Sequence, residues 1–179
     1  MSMLIREADL NDAEAIAKVR VDSWRTTYRG LLPQRYLDSL SYEPVAENWR
    51  NVLAAGGRQG FVYVAEDEAG QVVGVAMGGP DRTMNPIYTG ELYVIYLLEG
   101  YQRQGAGRKL VATVARRLVQ DGMFSMLVWV LDGNPAQSFY ESLGGHAVYR
   151  KEVSLAGGKY SEIGYAWEDI RSLAEQVSF

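Results

Sequence analysis

The chain has 179 residues, 47% hydrophobic and 22% charged, with a net charge of −4. That length suits one domain over residues 1–179 with a full core, and the acidic balance lacks the electrostatic footprint of a nucleic-acid binder. Zero cysteines and a single histidine, His146, exclude disulfides, thiolate or histidine-rich metal sites and a cysteine nucleophile, so no metal is expected. Without an apolar run of membrane-spanning length or a leader-like start, the chain reads as cytoplasmic, with no membrane partner.

Residues 4–8 read as a short strand, and Asp9 as a helix N-cap with Asp12 three residues on. Ala13, Ile16, Ala17, Arg20, Val21 and Trp24 trace one face of the helix that follows. Two more helices, over 33–40 and 43–55, precede a glycine pair. Residues 61–66 and 72–78 form a hairpin around the turn at 67–70, and the polar stretch 79–89 is a loop. Residues 91–98 are mainly β-branched, aromatic or aliphatic, which suits a strand buried on both faces. From Leu110 the apolar positions recur at helical spacing, and 123–131 is a further buried strand. Pro135 fits the first turn of a short helix and Gly144 its C-cap. Residues 147–155 and 161–167 close the chain as a hairpin across Gly157-Gly158. One β-α-β crossover among hairpins implies an α/β or α+β mixed sheet with helices on both faces.

The turn between the central strand and its helix reads Gln102-Arg103-Gln104-Gly105-Ala106-Gly107-Arg108. A glycine turn opening a helix points unpaired backbone N–H groups at one spot, at the positive end of the helix dipole, and so suits a phosphate. A Walker loop fails, because Ala106 stands where its lysine belongs. A dinucleotide fingerprint fails as well, with Leu110 at the third glycine position. On these residues alone, a phosphate loop and a plain strand-to-helix turn both stay open.

The surviving pattern, Gln/Arg-x-x-Gly-x-Gly/Ala after a buried strand, resembles the acetyl-CoA pyrophosphate loop of the GNAT superfamily of N-acetyltransferases. Downstream, Asn134-Pro135-Ala136 followed by Phe139-Tyr140-Glu141-Ser142-Leu143-Gly144-Gly145 looks like the second signature of that family. The resemblance covers nearly the whole chain and implies the GNAT fold. That fold is a mixed, mostly antiparallel sheet of about seven strands flanked by helices, with the central and following strands splayed apart. One departure is Leu98-Glu99-Gly100-Tyr101, where relatives often carry a proline after the strand; Gly100 is then free to take unusual backbone angles.

The resemblance further implies acetyl-CoA as cosubstrate, transfer to a primary amine in a ternary complex, and site residues with assigned roles. The backbone of Ile95, Tyr96 and Leu97 would pair with the pantetheine arm, residues 102–108 would cradle the pyrophosphate, and Asn134 would touch the pantetheine. Tyr140 would be the acid beside the leaving thiolate, the alternative being a core aromatic next to Phe139. A free amine titrates near 10.4, so at pH 7 it sits about 3.4 units from its nucleophilic form and benefits from a base. Glu91, eleven residues before Gln102, has the spacing of a central-strand base; the alternative is a solvent-facing loop end, and Glu162 is a second candidate. Trp24, Tyr28 and Tyr36 line either an acceptor cleft or the core. His146 reads as a surface or strand-start residue. A homodimer stays open, as does a rival function, that of an acyl-CoA-binding sensor without turnover.

Overall fold

A computed structural model describes residues 3–176; the ends of the expected domain, residues 1, 2 and 177–179, lie outside the described residues. Strand β1 (Leu4–Glu7) leads into α1 (Ala13–Thr27), α2 (Gln34–Ser39) and α3 (Tyr42–Ala54). Then come β2 (Phe61–Glu66), β3 (Val72–Pro80), β4 (Gly90–Leu97), α4 (Ala106–Gln120) and β5 (Met126–Leu131). The chain closes with α5 (Ala136–Ser142), β6 (His146–Leu155), β7 (Gly158–Trp167) and α6 (Arg171–Ala174). The seven strands form one sheet in the order β1-β2-β3-β4-β5-β7-β6. Only β4 and β5 pair in parallel, as their connection through α4 requires. No helix among the described residues is long and apolar enough to cross a membrane.

The junction into α1 is fixed locally. Asp9 accepts from the Asn11 N–H, and Asp12 accepts from the Asp9 N–H at 2.8 Å, the reciprocal arrangement of a capping box. Arg6 forks onto both Asp12 oxygens, and this hydrogen-bonded guanidinium holds the carboxyl below its usual range. Leu110, Val114 and Leu118 of α4 pack with Leu92, Met126 and Val128 on one face of the sheet. Ile16 and Val19 of α1 and Trp49 of α3 cover Val62, Val64 and Val75 on the other. The alternation along β2 and β3 that separates these sets is the period-2 pattern of a strand buried on both sides. In β3, Gly78 lets α4 approach: a Cβ there would stand 2.7 Å from Val114 Cγ1 and 3.0 Å from the Glu91 carbonyl oxygen.

Two irregularities of β4 open the sheet. Opposite β3, Met77 pairs with Val94 and Gly78 with Leu92, so Tyr93 is the extra residue of a bulge. The bulge resets which residues face which layer: Leu92, Ile95 and Leu97 pack toward α4, whereas Tyr93, Val94 and Tyr96 pack toward α1 and α3. Pairing between β4 and β5 ends at Leu92 and Val128, although β4 runs to Leu97 and β5 stays paired with β7 to Leu131. Beyond Leu92 the two central strands therefore part.

Several boundaries differ from the sequence reading. Gly79 and Pro80 extend β3, because they pair with Glu91 and Gly90 rather than joining the loop. Residues 123–125 are not strand: Met123 N–H closes the end of α4 on the Leu118 carbonyl, after Gly122 at φ 82°. Strand β7 starts three residues early, at Gly158, and α6 is additional. Gly100 takes no positive φ; it lies in a 3-10 turn (Glu99–Tyr101), and the left-handed angles fall on Arg103 and Gly105 instead.

Gly145, just before β6, is buried against Trp167, whose indole N–H donates to the Leu143 carbonyl at 2.9 Å. A Cβ at Gly145 would lie 2.6 Å from Trp167 Cζ2. Gly145→Ala is therefore expected to destabilise the fold by about 1–3 kcal/mol through overpacking, read as a lower urea midpoint at unchanged slope.

Candidate active site

The parting of β4 and β5 leaves a cleft of about 800 Å³. One wall is the unpaired end of β4, with Ile95, Tyr96 and Leu97; another is the C-terminal half of α1, with Trp24 and Tyr28. The start of α5, with Asn134, closes a third side, and the turn into α4 closes the end, contributing Gln102, Arg103, Gly105, Gly107 and Arg108. Of the phosphate-loop residues, Gln104 and Ala106 stand apart. The Gln104 amide donates back to the Gly100 carbonyl at 2.9 Å, and Ala106 is buried in the core. Ser23, Thr26, Thr27, Ser138 and Phe139 also line the cleft. Phe139 belongs to the second signature, but no pattern in the sequence marks the others, except that Ser23 and Thr27 are helical neighbours of Trp24 and Tyr28.

At the loop end, α4 begins without a side-chain cap and without an acidic residue in its first turn. Arg103 at φ 60° and Gly105 at φ 88° turn the backbone so that the helix start faces the cleft with its first N–H groups unclaimed. Gln102 braces the turn by donating to the Leu97 carbonyl at 3.0 Å. Arg103 and Arg108 add positive charge, so this end of the cleft is built to hold an anion.

Three tyrosines meet at the other end. The Tyr28 hydroxyl accepts from Asn134 Nδ2 at 3.1 Å, and its own proton has no acceptor among the described residues. Burial, with Tyr96 next in effect, pushes the Tyr28 hydroxyl up to about 12. Asn134 is itself fixed by the Ala136 N–H, which donates to its Oδ1 at 2.9 Å, so the amide of Asn134 positions Tyr28 at the mouth of α5. Tyr140 is buried behind the lining residues, its ring among Phe139, Tyr165 and Trp167. Burial, then Tyr28 and Tyr96, drive its hydroxyl far above the usual phenol range, so it is neutral and a donor at any ordinary pH.

The two carboxylates expected as bases fall in different places. Glu91 is 1% exposed at the start of β4, neither at a solvent-facing loop end nor in the cleft wall. Its carboxylate accepts from the Arg82 guanidinium at 2.7 Å and from the Arg82 backbone N–H at 3.0 Å. Ile95 lies four residues further along the strand, roughly 13 Å at the usual rise. The base role expected of Glu91, exercised through water in the family it resembles, would thus fall to a carboxylate that Arg82 holds at the paired end of the strand. Glu162 pairs in register with Leu131, at the open end of β5, and its charge acts on the Tyr28 hydroxyl. Lys151 Nζ lies 3.5 Å from it. His146 opens β6 and is exposed.

Comparison with known proteins agrees with this geometry. The family model described as Acetyltransferase (GNAT) family matches residues 19–145. An N-acetyltransferase of Bacillus subtilis (strain 168), YuaI, described as uncharacterized, is 46% identical over 169 residues, spanning 94% of this chain and 95% of that one. Among solved structures, the PaiA N-acetyltransferase of Thermoplasma acidophilum in complex with coenzyme A superposes with a TM-score of 0.69 at 19% identity, covering 91% of this chain and 98% of that one. The yncA protein of Salmonella typhimurium, solved with its cofactor acetyl-CoA, gives 0.68 at 22%, covering 93% and 94%. At those identities the two structures speak for the fold alone.

Proposed function

The chain belongs to the GNAT family of acetyltransferases and is an acyltransferase, and from that premise we propose that it transfers the acetyl group of acetyl-CoA directly to a primary amine within a ternary complex. The observation that carries this reading is the cleft itself. An uncapped, arginine-flanked helix start lies at one end, an unpaired strand edge along the side, and Tyr28 at the other end with the buried Tyr140 behind the lining. When bound, acetyl-CoA supplies an activated thioester. The N–H groups of Gly107 and Arg108 and the charges of Arg103 and Arg108 would hold the pyrophosphate, and the free edge of β4 at Ile95–Leu97 would pair with the pantetheine amides. The same edge offers donors that polarise the acyl carbonyl.

Proton accounting assigns the remaining groups. The incoming ammonium must lose a proton, and we take Glu162, at the open end of β5 and held more loosely by Lys151 at 3.5 Å than Glu91 is by Arg82 at 2.7 Å, as its base. The departing sulfur needs a hydrogen bond. A thiol titrates near 8.5, well below the Tyr140 hydroxyl, so Tyr140 stabilises the thiolate as a donor rather than surrendering its proton outright. Action in the cytoplasm, where acetyl-CoA is available, follows from this reading.

CoA release measured over amino acids, polyamines, aminoglycosides and peptide N-termini tests the proposal. Acetyl-CoA binding with no turnover on any amine would instead make the chain an acyl-CoA sensor. With a reactive amine in hand, Glu162→Gln is expected to lower kcat/KM at pH 7 by about tenfold to a hundredfold. The loss should shrink as pH approaches the amine pKa and free amine no longer needs a base. Glu91→Gln is expected to leave the shape of that pH profile alone and to lower the urea midpoint, because Arg82 loses its buried carboxylate partner. The reverse pattern would return the base role to Glu91.

A further inference from the structure

Two donors beside the cleft are left without acceptors. The Trp24 indole N–H is shut away from solvent and has no partner among the described residues, although Trp24 lines the cleft. A buried N–H without a partner is costly, and such groups in native proteins usually await a ligand or water. One helical turn earlier, Arg20 lays its guanidinium over the same indole, 4.3 Å from the ring centroid. Arg6, Arg50 and Arg117 are buried to a similar degree, and each is paired with a carboxylate. Arg20 joins none of the ion pairs among the described residues. Beside it, Tyr28 feels the positive charge of Arg20 and the negative charge of Glu162. Arg20, which joins no ion pair among the described residues, and Glu162, which Lys151 Nζ approaches at 3.5 Å, thus flank the Trp24 and Tyr28 side of the cleft from behind its lining, backed by an aromatic and aliphatic wall that includes Tyr36 and Tyr160.

We propose that the acceptor is an amino-acid-like molecule, a primary amine that also carries a carboxylate, and that Arg20 with the Trp24 indole N–H holds that carboxylate. This assignment rests on the acetyltransferase reading and names the class of its acceptor. A guanidinium fork plus one further N–H matches the two oxygens of a carboxylate. Glu162 stands on the side where the amine would lose its proton, and the aromatic wall selects an apolar body between the two polar ends. A polyamine or aminoglycoside would place a second cation against Arg20 and is disfavoured by that repulsion.

Matched pairs test the proposal. Leucine, methionine and phenylalanine, each against its primary amide, are titrated by calorimetry into the CoA-saturated protein and compared as acceptors by CoA release. The acid of at least one pair should bind about tenfold to a hundredfold more tightly than its amide. Arg20→Gln should bring the pair within about twofold, while Arg20→Lys keeps part of the difference because it keeps charge but loses the fork. Acetyl-CoA affinity should be unchanged in both variants, which also shows that they fold. Equal binding of acid and amide, a preference untouched by Arg20→Gln, or binding of spermidine with none of either pair member would overturn the assignment. Absence of turnover with every amine would defeat the acetyltransferase reading, and the calorimetric difference would still decide this one.

Discussion

Replacing Tyr140 by phenylalanine is expected to lower kcat about a hundredfold while leaving acetyl-CoA affinity and the melting temperature nearly unchanged. The ring does the packing: its centroid lies 5.6 Å from Phe139, 6.0 Å from Tyr165 and 6.2 Å from Trp167, and phenylalanine keeps all three contacts. Only the oxygen is lost, and that oxygen has no hydrogen-bond partner among the described residues, so nothing is left unsatisfied by removing it. Its environment is the reverse of what a phenolate needs, since burial and two neighbouring phenols all disfavour charge. A neutral donor held in a dry setting acts where charge develops, on the departing sulfur, and is worth far more there than in water. Steady-state kinetics with the best amine, calorimetry with acetyl-CoA and a thermal melt separate the cases. An unchanged kcat would reduce Tyr140 to a core aromatic.

What the sequence made visible, and what it hid, divides along local and non-local physics. The capping box at Asp9 and Asp12 and the glycine turn before α4 are settled within a few residues, so spelling reveals them. The cleft is not local. It exists because Tyr93 is an extra residue opposite β3 and because β4 and β5 stop pairing after Leu92 and Val128. Neither event leaves a mark in the order of apolar residues. Glu91 shows the consequence: its spacing from Gln102 suits a base, but Arg82, nine residues earlier, returns across the loop and claims its carboxylate. Arg20 shows the converse. On the helical wheel it sits on the buried face and passes for a packed stem, and only its lack of an ion pair among the described residues makes it informative. Thr26 and Thr27 were invisible because small polar residues at a helix end carry no period.

Arg108→Glu is expected to weaken acetyl-CoA binding about a hundredfold without destabilising the helix that carries it. Arg108 is the third residue of α4, where a carboxylate favours both the helix dipole and the backbone N–H of the cap. The other long helices follow that rule, with Glu14 in the first turn of α1 and Glu43 in the first turn of α3. Helix α4 breaks it, opening on Gly105 with no cap and no acid, and carrying an arginine that lines the cleft while its Nη1 donates to Gln176 Oε1 at 3.0 Å. For the helix alone, the exchange to glutamate gains about 0.3–1 kcal/mol. For a bound pyrophosphate it swings the local charge by two units, and at partly screened distances each unit is worth about 1 kcal/mol or more. The two effects have opposite signs, so one variant separates them: calorimetry should report weaker acetyl-CoA binding while the thermal melt holds or rises. Salt sharpens the test. Raising ionic strength should weaken acetyl-CoA binding to the wild-type protein and relieve the repulsion in the variant. Equal affinity of both proteins for acetyl-CoA would mean that its phosphates are not held at the start of α4, and the orientation of the cosubstrate in the cleft would have to be reversed.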